Sequence, residues 1–393
     1  MKAYKPLLAL LLFVFYIPST LAQVRDGTYQ ATQKDNPTDI IDITVTSLGN
    51  GITLYTQYIP QKRENKPLNG SYHFEIHGNR RHIEGNFVKG LPEGEWTEYM
   101  YSDIFKKYNF KNGKLNGKTY TFHDDGSHRS IGTYKDGNLQ HYISYFPNGQ
   151  IEEEKIYDEQ GKKHGKAIAY NKEGQIVEEA YYEHGFYHGK KTEINDNGYK
   201  VVETYNQGSL EGEYQRFYPN GNKQEEGEYD TDHKKNGKWT TWYENENIKM
   251  VVHYLNGKLH GEKRTNYEEG HPQTVEEYAD NKLNGKRIDY DETPNVIISE
   301  YTYTNGVLNG ESKSYHNGEI WRESFYKNGT LLREKEYKNG KLNVLRLLDD
   351  TGKMIDVQQY NAAGKITNRN TTYKKPESIK LKEDASGIID IEF

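Results

Sequence analysis

The stretch "YLNGKLHGE" (residues 254–262) has near-copies elsewhere in the chain: "FKNGKLNGK" from Phe110, "YTNGVLNGE" from Tyr303 and "YNQGSLEGE" from Tyr205. Each places an aromatic residue before a glycine-containing turn and closes on a second glycine. Aligning that second glycine gives Gly70, Gly94, Gly117, then His141 in the glycine slot, then Gly165, Gly189, Gly212, Gly237, Gly261, Gly285 and Gly310, in steps of 23 to 25 residues. The aromatic before the turn keeps the same period, at Phe87, Phe110, Tyr134, Tyr157, Tyr182, Tyr205, Tyr229, Tyr254, Tyr278, Tyr303 and Tyr326. Two series in phase over eleven units identify a repeat array.

Each unit holds another turn halfway along, written "PNG" at Pro147 and Pro219, "KEG" at Lys172, "NDNG" at Asn195 and "HNG" at His316. Asn-Gly and Asp-Gly supply the positive φ angles of tight hairpins, so one unit reads strand, turn, strand, turn. A glycine turn every dozen residues or so leaves no window for a stable helix. Residues six apart on a strand share a face, which groups Ile151 with Tyr157, Ile176 with Tyr182, Ile248 with Tyr254, Ile297 with Tyr303 and Ile320 with Tyr326. The first strand carries an aromatic five positions after its glycine, at Tyr99, Phe122, Tyr170, Phe217, Trp242, Tyr290 and Tyr315. Stacked from unit to unit these rings form columns, with the glycines leaving room for them. The expected fold is all-β: an elongated single-layer antiparallel β-meander of about eleven hairpin repeats, each of 23–25 residues. At about 4.8 Å per strand it would extend roughly 100 Å, and only neighbouring units would touch.

The composition agrees with a thin fold. Only 33% of the 393 residues are hydrophobic and the mean hydropathy is -1.04, too polar for a thick two-layer core. The 35 tyrosines, 12 phenylalanines and 4 tryptophans supply the apolar surface that a disordered chain would lack. Lys2 and Lys5 precede the apolar run "LLALLLFVFYI", and "STLA" supplies small residues at Thr20 and Ala22 before Gln23. This has the form of a secretory signal peptide, and export to the periplasm, cell surface or medium is expected, with no membrane span left after cleavage. Loss of those two lysines takes the formal net charge from -6 to -8, which does not favour nucleic acid. The absence of cysteine excludes disulfides and thiolate metal sites. The organisation expected is a signal peptide at 1–22, an N-terminal β cap at 23–66, the hairpin array at 67–343, and a degenerate repeat with C-terminal cap and tail at 344–393. Caps are what an open sheet needs at its edges.

The unit "NGKLHGEKRTNYEEG", followed by a strand ending in Tyr and a new turn, resembles the MORN-repeat variant found in the YwqK-like antitoxin family, over roughly residues 67–345. The resemblance implies an elongated single-layer sheet and, for relatives paired with toxins, neutralisation by binding. This chain departs from it in its export signal, in the missing glycine at His141 and in the lengthened turn "YDTDHKKNG" at Tyr229. The two repeat irregularities read first as drift in a repetitive sequence, with a partner-specific contact as the alternative.

Motifs with chemistry are few. "GKLNGKT" from Gly113 has three residues between its glycines where a phosphate-binding loop needs four, and it enters a strand rather than a helix. His164, His188 and His260 share the slot before the repeat glycine, but neighbouring units lie about 9.5 Å apart while zinc needs nitrogens at roughly 2 Å, so they read as solvated turn residues. Glu152 to Glu154, Glu178 with Glu179, and Glu276 with Glu277 read as solvent-facing partners of lysines rather than catalytic pairs. The Asn-x-Ser/Thr matches at Asn69, Asn328 and Asn370 carry no weight, because the repeat itself writes them. No catalytic residue, cofactor or metal ligand is assigned. The structural set is the glycines Gly94, Gly117, Gly165, Gly189, Gly212, Gly237, Gly261, Gly285 and Gly310, with Tyr134, Tyr157, Tyr182, Tyr205, Tyr254, Tyr303 and Tyr326. Trp239, Trp242 and Tyr243 of "WTTWY" form the densest aromatic patch and the expected partner-binding surface. The reading is an exported, non-enzymatic scaffold that binds a protein or an envelope component. The alternatives are an antitoxin or immunity protein, and a self-associating envelope protein.

Overall fold

A computed structural model describes residues 27–33, 36–49, 52–59, 64–76, 81–371, 380–383 and 389–392. The segment 1–22, expected to be a signal peptide, lies outside them. Every regular element among the described residues is a β-strand, and none of those residues forms a helix long and apolar enough to cross a membrane. The chain divides into two compact units, Met1–Phe186 and Tyr187–Phe393.

In the first unit, consecutive strands from Gly70–Ile76 to Ile176–Glu183 pair antiparallel. The repeat glycine and the next aromatic, two independent series in the sequence, are direct cross-strand partners: Gly70 opposite Phe87, Gly94 opposite Phe110, Gly117 opposite Tyr134 and Gly165 opposite Tyr182. His141, in the glycine slot, faces Ile156 instead. The second unit repeats the pairing at Gly189–Tyr205, Gly212–Tyr229, Gly237–Tyr254, Gly261–Tyr278, Gly285–Tyr303 and Gly310–Tyr326. All of these glycines have positive φ. The hairpin beside most of these aromatics is a two-residue turn with both residues at positive φ, as at Asn112-Gly113, His184-Gly185 and Asn256-Gly257, the geometry that matches strand twist, whereas Tyr157 and Tyr229 lead into longer turns with a single positive φ, at Gly161 and His233.

The other turns differ, and they correct the six-residue spacing argument. At "PNG" the Gly149 amide bonds the Phe146 carbonyl at 2.9 Å, and a register shift follows in the adjoining strand pair. Ile176 faces Tyr170 while Glu178 faces Ala169, and Ile248 faces Trp242 while Met250 faces Thr241, so one residue bulges between them. A bulge breaks strict alternation. Ile176, Ile248, Ile297 and Ile320 are therefore partners of the aromatic five positions after the repeat glycine, and Ile151 of Tyr145, not companions of the later tyrosine; Ile176 and Ile248 are 41% and 39% exposed.

The N-terminal strands depart from a simple meander. Gly27–Gln33 pairs with Asn36–Gly49 and also with Gly70–Ile76, while Glu64–Pro67 pairs with Ile52–Ile59 at the far side of that group. Only Leu68 and Asn69 join Glu64–Pro67 to Gly70–Ile76, a reach of roughly 10 Å at most, so these strands must curl round. Leu68, 2% exposed, sits at the closure with Tyr72, Ile83, Phe87, Trp96, Tyr108, Phe110 and Leu115 in the core of the first unit. In the second unit pairing continues through Lys341–Leu348, Met354–Tyr360 and Ile366–Thr371, with Leu345, Leu347 and Tyr360 clustered and buried.

Two ladders of side-chain hydrogen bonds tie repeat to repeat within each unit. The turn tyrosines donate to a backbone carbonyl one repeat further on: Tyr218 to Trp242 at 2.9 Å, Tyr243 to Asn266 at 2.9 Å and Tyr267 to Tyr290 at 3.0 Å. The residue before the repeat glycine accepts from the turn amide of the next hairpin, as Asn69 from Lys89 (2.8 Å), Asn284 from Asn305 (3.1 Å) and Asn309 from Asn328 (3.0 Å). Tyr243→Phe is expected to lower stability by about 1 kcal/mol, read as a lower urea midpoint at unchanged slope.

Candidate functional site

Alternation from the glycine–aromatic pairs carries the repeat aromatics onto one face of the sheet. Where the middle positions of that face are small, the face is hollow. In the first unit Thr119, Ser130, Gly132, Ser144 and Ala169 line a cavity of about 920 Å³, walled by Tyr108, Tyr120, Tyr134, Tyr142 and Tyr170. Four cations, Lys106, Arg129, Lys155 and Lys163, line it against two anions, Glu152 and Glu153. It surrounds the unit whose glycine slot holds His141, the first irregularity visible in the sequence.

Two of the cations, Lys106 and Lys163, are poorly hydrated. Burial pulls the Lys106 ammonium below its ordinary range, only partly offset by Glu98. Burial does the same to Lys163, helped by the neighbouring Lys155, and the Lys163 ammonium lies 4.7 Å from the centre of the Tyr182 ring. Lys155 pairs with Glu153, and Ser144 donates to Glu152 at 3.1 Å. Burial pushes the Tyr134 and Tyr142 phenols up, with Glu153 adding to the effect at Tyr142. Cations partly stripped of water, rings and hydroxyls form a set suited to recognising a ligand with acidic groups and flat apolar surface.

The structure separates the expected trio. Trp239 is 1% exposed, so it is an interior ring and not a contact surface. It stacks on Tyr214 at 5.5 Å, meets Tyr229 edge-on at 5.2 Å, carries the Lys235 ammonium 3.6 Å above its face and donates to the Glu228 carbonyl at 3.2 Å. Trp242 and Tyr243 are half-buried at the adjoining turn, where both belong to the tyrosine ladder. Glu276 also departs from the solvent-facing reading: it is buried, with Lys263 at 3.0 Å, Arg287 at 3.4 Å and the Tyr278 hydroxyl at 3.2 Å. Glu154, by contrast, reaches His141 at 2.7 Å, and Glu179 reaches Lys166 at 2.9 Å. The sequence reading missed the groove because its floor is defined by what is small, while attention went to what is aromatic.

Comparison with known proteins finds the repeat. Residues 115–136, 141–162, 163–184, 210–231, 235–256 and 322–339 match the family model described as MORN repeat variant. Between these segments, Gly189–Tyr205, Gly261–Tyr278 and Gly285–Tyr303 keep the same cross-strand register. No curated protein matches the chain. Among solved structures, a mutant of S. aureus TarM in complex with Fondaparinux, alpha-GlcNAc-glycerol and UDP is matched at 11% identity and a TM-score of 0.12. That match covers 31% of this chain and 21% of the other.

Proposed function

We propose that the chain is an exported, non-catalytic repeat scaffold whose aromatic face binds a protein or cell-envelope partner, with the groove of the first unit as the specific contact. The groove's composition carries this reading: tyrosines line it over a floor of small residues, with Lys106 and Lys163 held against their preference for water. An acidic group on the partner would compensate that loss of hydration, and the rings would supply the apolar contact. Export is supported by the apolar run flanked by Lys2 and Lys5.

The test is affinity capture with the mature protein from its own cells. The variant Arg129→Glu/Lys163→Glu reverses two groove charges, while Lys190→Glu changes an exposed lysine outside the groove. The expected result is a captured partner that the double variant loses by at least tenfold and Lys190→Glu retains. Equal capture by all three proteins would remove the groove from the account.

A further inference from the structure

We infer that Asp158, His164 and His184 form a binding site for one divalent late-transition-metal ion of the zinc, nickel or copper class. The site occupies a rung of the ladder that elsewhere joins the residue before a repeat glycine to the next hairpin turn. At the rungs of Asn69 and Glu93 the first position accepts from the turn amide, Asn69 from Lys89 and Glu93 from Asn112. Here the two positions are His164 and His184, and their rings lie 5.5 Å apart. The column of His164, His188 and His260 supplies only one imidazole to any site; the second comes from the turn, one rung across.

The third ligand is already fixed in place. Asp158 Oδ1 accepts the backbone amides of Gln160 at 3.0 Å and Lys162 at 2.8 Å, leaving Oδ2 turned to His184 Nδ1 at 3.1 Å. Those two amides fix the orientation of the carboxylate. Ligand atoms from all three residues lie within 4.8 Å of one another. In a tetrahedral zinc site, bonds of about 2.0–2.1 Å place neighbouring ligand atoms roughly 3.4 Å apart, so the Asp158–His184 edge is close to its final length. Two imidazoles and one carboxylate suit zinc, nickel or copper, whereas calcium and magnesium prefer oxygen. Both imidazoles are exposed, leaving the remaining coordination positions open to water.

A sister rung provides an internal control. Asp230, Asn236 and Asn256 stand 72 residues beyond Asp158, His164 and His184. The Asp230 Oδ1 accepts the amides of Asp232 and Lys234, both at 2.9 Å, and the Asn256 amide reaches Asn236 Oδ1 at 3.4 Å. The same backbone thus accepts asparagine at both histidine positions. The other compact histidine group, His73, His82 and Glu84, has His73 stacked on His82 at 4.7 Å and His82 stacked on Tyr99 at 4.4 Å. Stacked rings do not direct their nitrogens to a common point.

The experiment is calorimetric titration of chelator-treated full-length protein with Zn²⁺ and with Ni²⁺ at pH 7.5, checked by Co²⁺ absorption. One equivalent is expected to bind, with affinity reduced at least 100-fold in His164→Asn/His184→Asn and unchanged in His82→Asn. Mg²⁺ and Ca²⁺ are expected to give no heat. The graft Asn236→His/Asn256→His is expected to raise the stoichiometry to two, and it tests the geometry without removing any native ligand. Binding that survives His164→Asn/His184→Asn unchanged, or wild-type protein that binds no Zn²⁺ or Ni²⁺, overturns the inference.

Discussion

Gly227→Ala will destabilise the second unit by roughly 3 kcal/mol, at the upper end of overpacking penalties, whereas Gly237→Ala will cost about 1 kcal/mol from its left-handed backbone alone. Gly237 is the conspicuous glycine of the repeat, yet a Cβ there meets nothing within 4 Å and the strain is only its φ of 70°. At Gly227 a Cβ would sit 2.2 Å from ring atoms of Trp239. The indole cannot withdraw cheaply, being held between Tyr214, Tyr229 and Lys235 and bonded to the Glu228 carbonyl. Displacing it also forfeits a buried hydrogen bond, about 1 kcal/mol. The first unit has the same device: a Cβ on Gly85 would sit 1.9 Å from the ring of Trp96, whose N–H donates to the Asn86 carbonyl at 3.2 Å. Because a repeat array unfolds locally, the loss is best read by amide hydrogen exchange on peptides spanning 223–255. In Gly227→Ala/Trp239→Leu the absent ring should make the alanine nearly neutral, a coupling visible in a double-mutant cycle. Equal losses for Gly227→Ala and Gly237→Ala would refute the steric argument.

The sequence carried the period, the strand order within units and the glycine–aromatic register, because each is written by residues that admit few alternatives. A left-handed turn position favours glycine, asparagine or aspartate, and a ring needs an opposing gap. It did not carry the bulges, since a one-residue shift between Ile176 and Glu178 leaves no compositional mark. Size complementarity two residues before the aromatic was legible but unread: Gly85 and Gly227 precede Phe87 and Tyr229, and Trp96 and Trp239 follow in the next strand. The same slot holds Gly132 before Tyr134, and there the groove opens. Aromatic density at residues 239–243 does not mean exposure. Trp239 has the ring a binding site would want, and the interior uses it.

Above pH 10 the protein is expected to lose sheet as its partly buried phenols ionise. Tyr214 and Tyr315 are pushed up to about 12, and Tyr157, Tyr205 and Tyr337 further still. Burial is the leading cause in each case. At Tyr205, Tyr315 and Tyr337 the phenol also donates to a glutamate, Glu203 at 2.8 Å, Glu300 at 2.8 Å and Glu323 at 2.7 Å, so ionisation would set two anions together. A phenol whose pKa is raised on folding contributes stability in full below its unfolded value, near 10, and loses it as pH rises towards the folded value. The window is therefore about pH 10 to 12 and higher, and acid leaves this contribution intact. Absorbance at 295 nm should show a delayed, steep ionisation step coincident with loss of the β-sheet circular dichroism signal. Lysines also discharge in this range, so Tyr205→Phe/Tyr337→Phe isolates the phenols. That variant should be less stable at pH 7, having lost two hydrogen bonds to carboxylates, and its stability should fall less steeply above pH 10. Smooth ionisation of all tyrosines to pH 12 with the sheet signal unchanged would show that these phenols are not held by the fold.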